Sequence, residues 1–162
     1  MKHLVALLAL TLGVAACDRS DAAMPGSTQH EKTMTAQGTF DVKVTPQPAD
    51  ADAGPFGRLV LDKQFHGALE ATSKGQMLGT QFEPEGSGAY VALELVSGTL
   101  HGKRGSFMLQ HNGTMSKGVS TMHVSVVPNS GTQELKGISG RMTIIIEGKE
   151  HRYELEYSLG PA

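Results

Sequence analysis

The sequence is poor in the residues that mark several common protein classes, with no Trp and a single Cys in 162 residues. One Cys cannot form an internal disulfide, which excludes a disulfide-stapled scaffold. The formal net charge is −2 and the basic residues form no patch, so the sequence does not favour a nucleic-acid partner. Convincing helical periodicity is also missing after the N-terminal segment, which argues against a helical domain.

The most apolar segment lies at the N-terminus. Residues 4–14 read LVALLALTLGV and follow the basic start Met1-Lys2-His3. As a helix this segment would span about 17 Å, which is too short for a bilayer core of about 30 Å. Its length is typical of a secretory signal peptide, which we predict over residues 1–16.

The apolar segment ends in Val14-Ala15-Ala16-Cys17, which resembles a bacterial lipobox. The resemblance implies that Cys17 is lipidated and carries acyl chains such as palmitate, which anchor the protein to a membrane. The alternative is an ordinary signal peptide in which Cys17 is a free thiol. Asp18 resembles the signal that retains lipoproteins in the inner membrane, with the outer membrane as the alternative. We therefore expect a lipid-anchored protein of the bacterial cell envelope that faces the periplasm.

Two segments have the composition of loops. Residues 17–33 are small, polar and aperiodic, and they predict a flexible tether between the lipid and a domain at residues 34–162. Residues 46–57 (PQPADADAGPFG) are rich in Pro and Gly and predict a long loop after the first strand.

From residue 35 onward, apolar residues alternate with polar ones at period two, which indicates β-strands. Gly-containing breaks separate the runs. This pattern predicts an all-β domain, a single antiparallel closed β-barrel of about eight strands. We place one hairpin turn at residues 116–118 and interpret Gly113 as a β-bulge, although Asn112-Gly113 could itself form a turn.

Three motifs carry a family resemblance: YVALE at residues 90–94, GTLHGKRGSFMLQH at 98–111, and VVPNSGT followed by ELKGISG within 126–140. They are similar to motifs of the bacterial domain of unknown function 3224 family. The resemblance covers roughly residues 35–159 and implies a barrel like that of allene oxide cyclase. It implies no established activity, no catalytic residues and no cofactor.

Two polar residues stand on strands that are otherwise apolar, and they are the candidates for catalysis. Glu94 lies in the run YVALELV, where burial would raise its pKa and suit it to acid–base chemistry. The alternatives are a salt bridge or an outward position, because Val91, Leu93 and Leu95 make an equally good core face. His111 shares the parity of inward-facing residues, so it either orients a ligand or is satisfied by a backbone carbonyl.

A ligand inside the barrel would contact the inward-facing side chains. The predicted lumen residues are Tyr90, Glu94, Phe107, Leu109, His111, Tyr153 and Tyr157. The tyrosines could equally be plain core. The histidines have neither metal-ligand spacing nor a Cys partner, so no metal site is predicted. The sequence thus favours a barrel that binds a small apolar ligand. The alternatives are a filled barrel with a structural or protein-interaction role, whose partners are unknown, and an isomerase resembling allene oxide cyclase.

Overall fold

The computed structural model describes residues 32–48, 52, 54–83 and 86–160. The predicted signal peptide, Cys17, Asp18 and most of the tether lie outside these residues. The described chain forms eight β-strands: β1 (Met34–Pro46), β2 (Gly57–Gly67), β3 (Leu69–Phe82), β4 (Ser87–Leu100), β5 (Lys103–Ser116), β6 (Val119–Val126), β7 (Ile138–Glu147) and β8 (Glu150–Leu159). The loop predicted over residues 46–57 is the connection between β1 and β2.

Each strand pairs antiparallel with the next, and β1 pairs with β8 to close the barrel. The predicted closed antiparallel barrel of eight strands is confirmed. The predicted turn between β5 and β6 is also confirmed, since Lys117 and Gly118 both have positive φ values of 50° and 80°, as a two-residue hairpin turn with this twist requires. The predicted bulge at Gly113 is wrong, because Gly113 pairs in regular register with Tyr90 of β4 and Met122 of β6.

One end of the barrel is packed solid, and we call it the closed end. Here the apolar side chains of all eight strands form one core. Leu135, in a short 3-10 helix at Gln133–Leu135, covers this core from the connection between β6 and β7. The hydroxyls of Ser130 and Thr132 accept hydrogen bonds from the backbone N–H groups of Met108 and Ser106, which fixes this connection against β5.

The opposite end, which we call the mouth, carries the other four connections, β1–β2, β3–β4, β5–β6 and β7–β8. The mouth is less densely packed than the closed end, since the inward-facing residues near the mouth are glycine or are only partly buried. Among the described residues, no helix is long and apolar enough to cross a membrane.

β6 and β7 share fewer paired residues than any other two neighbouring strands of the barrel. These strands pair only at Val124 with Met142 and at Ser125 with Arg141, whereas β7 pairs with β8 at ten positions. From this short contact toward the mouth, the two strands show no further pairing within the described chain. The seam between β6 and β7 is therefore the least cross-linked part of the wall.

Candidate functional site

A layer of polar side chains crosses the barrel interior between the closed end and the mouth. We call it the polar layer, and its members are Lys63, Ser73, Glu94 and His111, all of which are buried. Strand geometry explains the position, because side chains on one face recur every second residue. On β4, for example, Glu94 lies between Tyr90 on the mouth side and the core residue Val96. The layer lies between the packed core of the closed end and the open mouth.

Glu94 is the centre of the polar layer and is fully buried, with 0% of its surface exposed. The ammonium of Lys63 donates a hydrogen bond to Oε2 at 2.7 Å, and the hydroxyl of Ser73 donates to Oε1. Gly75 on β3 allows β3 and β4 to approach closely at Glu94, since a Cβ there would lie 2.8 Å from the carbonyl oxygen of Leu93 and 3.2 Å from Cα and Cβ of Glu94. The ammonium of Lys63 also lies 5.0 Å from the centre of the Phe40 ring, a favourable cation–π distance.

The pKa of Glu94 moves opposite to the sequence-based expectation. Burial by itself raises the pKa, as expected, but the nearby His111 imidazole, the Lys63 charge and the hydrogen bonds from Lys63 and Ser73 together lower it to about 2. The salt-bridge alternative therefore describes Glu94, and the prediction of a raised pKa is wrong. Glu94 is ionised at neutral pH, so it cannot act as a general acid there.

His111 faces the interior, with 4% of its surface exposed. Its Nε2 lies 3.0 Å from Oε2 of Glu94, but the two atoms are not aligned, and within the described part of the chain Nε2 has no hydrogen-bond partner. No backbone carbonyl of the described residues therefore accepts a hydrogen bond from Nε2. A buried nitrogen without an aligned hydrogen-bond partner lowers the stability of the fold. The adjacent negative charge of Glu94 offsets part of that loss.

A cavity of about 480 Å³ opens at the mouth, above the polar layer. Its apolar side chains include Leu59, Met77 and Met122, and Tyr90 adds an aromatic ring with a hydroxyl. Glycines 79 and 113 form parts of the wall. The cavity lies within the size range of small-molecule sites.

Tyr90 owes its position to Gly113 on the neighbouring strand. A Cβ at Gly113 would lie 2.4 Å from Cε1 of the Tyr90 ring, so the ring fits only because the side chain opposite is a hydrogen atom. Burial raises the pKa of the Tyr90 hydroxyl further above its ordinary value of 10.0, so the hydroxyl is protonated at neutral pH. Tyr90 therefore presents a hydrogen-bond donor to the cavity region.

The predicted lumen residues separate into three groups. Tyr90 lines the cavity, and Glu94 and His111 belong to the polar layer. The other four belong to the closed core: Phe107, Leu109, Tyr153 and Tyr157. There the Tyr153 hydroxyl accepts a hydrogen bond from the Leu69 N–H at 2.9 Å, and the Tyr157 hydroxyl lies 2.8 Å from Nδ1 of His101.

Sequence reasoning did not single out Lys63, Ser73, Met77 or Met122 as site residues. Lys63 carried a signal, because it shares the parity of Leu61 and Phe65 and is the one charged residue on that inward face of β2. Met77 and Met122 carried none, since methionine on an inward face is ordinary core composition. Among the described residues, no three His, Cys, Asp or Glu side chains lie close enough to hold a metal ion.

Comparison with known proteins gives a family and a structural neighbour. Residues 36–157 match the model of the family described as protein of unknown function (DUF3224). The chain is similar to the crystal structure of a DUF3224 protein with unknown function from Shewanella oneidensis MR-1, at 46% identity and a TM-score of 0.75, covering 81% of this chain and 100% of that chain. No curated protein matches the chain.

Proposed function

The chain belongs to the DUF3224 family, whose function is unknown, and from this premise we propose that its barrel binds a small apolar ligand in the cavity at the mouth. The observation that carries the proposal is the unequal filling of the lumen. The closed end is packed by large side chains, whereas the mouth keeps a cavity of about 480 Å³. A barrel that only needed a core would gain stability by filling this space as well.

The cavity lining defines the chemistry of the ligand. Leu59, Met77 and Met122 offer apolar contacts, and flexible methionines adapt to ligands of irregular shape. Tyr90 offers one hydroxyl, and further polar side chains line the cavity: Thr80, Gln81, Thr114, Ser120 and Thr121. An apolar molecule that carries a hydroxyl, carbonyl or carboxyl group at one end fits this arrangement.

We further propose that the protein is a lipoprotein of the cell envelope that faces the periplasm. The segment VAAC at residues 14–17, preceded by an apolar stretch, supports a lipid on Cys17. Asp18 favours the inner membrane, with the outer membrane as the alternative. A membrane-anchored carrier would meet apolar molecules where they are most concentrated.

The polar layer gives the isomerase alternative less support. Glu94 is ionised and paired with Lys63, and neither Glu94 nor His111 lines the cavity at the mouth. His111 instead borders a separate groove with Val91 and Leu93. A catalytic group must come within hydrogen-bond reach of its substrate. The two residues instead form the polar floor below a binding cavity.

A pair of variants on adjacent residues of β3 tests ligand binding. Met77→Trp places an indole in the cavity, and Leu78→Trp places the same side chain on the exposed outer face. We expect the unmodified barrel to bind parinaric acid or retinol, followed by their fluorescence. Met77→Trp should weaken that binding at least tenfold, and Leu78→Trp should leave it unchanged.

Native mass spectrometry of the protein purified from its own envelope extract completes the test. A bound mass of a few hundred daltons that is lost on denaturation would support the proposal and give the ligand class. A clean unliganded mass, combined with no uptake of either probe, would overturn it in favour of the structural or protein-interaction alternative.

A further inference from the structure

We propose that the mouth of the barrel docks onto a lipid bilayer surface, so that the cavity exchanges its ligand directly with the membrane; this rests on the proposed ligand-binding function. The surface involved is a ring of large apolar side chains that are exposed at the mouth. We call this ring the apolar rim, and its members are Val44, Phe56, Phe82, Met115, Val119 and Ile146.

The position of the apolar rim follows from the topology. Each member lies at or beside the mouth end of its strand, on β1, β2, β3, β5, β6 and β7 respectively. They therefore come from all four connections at the mouth and surround the opening. Their exposure ranges from 36% for Met115 to 70% for Val119. Exposed apolar side chains that gather at one end of a barrel mark an interaction site.

The apolar rim is continuous with the cavity. Met115 belongs to both, since it is exposed at the mouth and also lines the cavity. Met122 on β6 is also exposed, and it lines the cavity further from the mouth than Met115 does. With the rim inserted into the headgroup region of a bilayer, a ligand could pass between lipid and cavity without crossing water. The transfer would then avoid the free-energy cost of exposing the apolar ligand to water.

The charges around the mouth indicate the kind of lipid surface. Lys117 and Lys149 lie in the turns there, and Glu83, Glu147 and Glu150 lie at the same end of the barrel, where Glu147 forms an ion pair with Arg152. Charges of both signs give no net attraction to anionic headgroups. The surface that fits is therefore a bilayer contacted through its apolar region, for which zwitterionic lipid is sufficient.

The length of the tether permits this orientation. Met34 begins β1 at the closed end, where it pairs with Tyr157, so an anchor on Cys17 joins the barrel at the end opposite the mouth. Residues 17–33 can extend to about 56 Å at ~3.3 Å per residue. A 14-residue strand tilted as in a small barrel is about 35 Å tall. The tether is thus long enough for the mouth to turn toward the membrane that holds the anchor.

Vesicle binding tests the proposal without the lipid anchor. The chain from residue 17 onward with Cys17→Ser keeps the entire barrel, whose strands all pair with one another between Met34 and Leu159. We expect this protein to co-float with phosphatidylcholine vesicles, with little change when the salt concentration rises from 0.1 to about 0.5 M, because screening affects only charge contacts.

Two matched double variants locate the contact. Phe56→Ser with Phe82→Ser removes two aromatic rings from the apolar rim, and we expect at least a tenfold loss of vesicle binding. Val91→Ser with Leu93→Ser removes similar exposed apolar surface from the outer face of β4, and we expect vesicle binding to stay unchanged. Uptake of parinaric acid from solution should be retained by both variants, which shows that the barrel is folded.

Each other outcome has a defined meaning. No vesicle binding, an equal loss in both double variants, or sedimentation that shows the rim joining two copies of the chain would each overturn the docking proposal. If probe uptake persists in these cases, the proposed ligand-binding function stands without it. Vesicle binding through the rim without any probe uptake would support docking and overturn the ligand-binding function.

Discussion

Glu94 and Lys63 form an ion pair in the barrel interior, where neither side chain has more than 6% of its surface exposed. Burying two charges is costly, and their attraction repays the cost only with good geometry and further hydrogen bonds. Ser73 supplies one such hydrogen bond, and the Phe40 ring faces the ammonium of Lys63. Together these contacts join side chains of β2, β3 and β4 across the barrel interior.

The lowered pKa of Glu94 predicts a loss of stability in acid. Its pKa falls from the ordinary 4.5 to about 2 in the folded protein, so folding favours the carboxylate. The resulting stability, about 3 kcal/mol, is fully present above about pH 4.5 and is lost as the pH falls toward 2. Urea unfolding of the native protein and of Glu94→Gln should differ most above pH 4.5 and converge toward pH 2. A difference independent of pH would contradict this prediction.

Lys63→Met should be more damaging than removal of both charges. The single change leaves the Glu94 carboxylate buried without its cation, which we expect to cost about 3–5 kcal/mol at pH 7. Lys63→Met combined with Glu94→Gln buries no unpaired charge and should recover part of that loss. Urea midpoints at pH 7 measure both variants, and a double variant less stable than Lys63→Met would contradict the pairing argument.

At the level of strands, the β6–β7 seam differs from the rest of the wall. β6 pairs with β5 at eight positions and with β7 at two. Backbone N–H groups alternate between the two neighbours of a strand. In the part of β7 from Thr143 to Glu147, every second N–H therefore points at β6 without a described ladder partner.

Hydrogen exchange should reveal this seam. We expect the N–H groups of Thr143–Glu147 that face β6 to exchange much faster than those that face β8, because unpaired groups are protected only by burial. β4 provides the internal control, since it pairs along its length with both β3 and β5 and should show slow exchange in both directions. Equal protection on the two sides of β7 would show that the seam is closed in solution.

The strands were largely predictable because alternation at period two is a strong local signal, and the turn at Lys117-Gly118 follows from the same spacing. The sequence could not decide which face of β4 points inward, because both faces are apolar. The register with the neighbouring strands decides it, since Glu94 lies opposite Gly75 of β3 and the buried Leu109 of β5. The bulge prediction at Gly113 was wrong for a similar reason. A glycine at this position is needed to accommodate the Tyr90 ring of the neighbouring strand, and the sequence did not show that contact.

The two ends of the molecule are packed differently. The closed end supplies the stability through a continuous core, and the mouth keeps the cavity and the apolar rim. Sequence reasoning assigned Phe107, Leu109, Tyr153 and Tyr157 to a single lumen together with Tyr90. It could not separate the ends, because strand periodicity gives the face of a residue and not the space above it.

This division predicts unequal costs for removing apolar side chains. Phe107→Ala at the closed end should cost about 3–5 kcal/mol, because the ring is fully buried in the core. Met122→Ala at the mouth should cost less than about 1 kcal/mol, because Met122 is 40% exposed and lines existing space. Urea unfolding of the two variants tests this, and similar losses for both would contradict the division.

The pairing of β1 with β8 also sets an order of assembly. Every other pair of neighbouring strands is adjacent in sequence, so each forms by closing a short loop at low entropic cost. The contact between Met34 and Tyr157 instead joins the two ends of the domain, and it forms only after most of the sheet has curled. Until then β1 and β8 both present open edges to other chains. We therefore expect a newly made chain to be most exposed to aggregation before this closure. In the closed barrel, the Gln37 side chain donates a hydrogen bond to Glu154 across the pairing of β1 with β8.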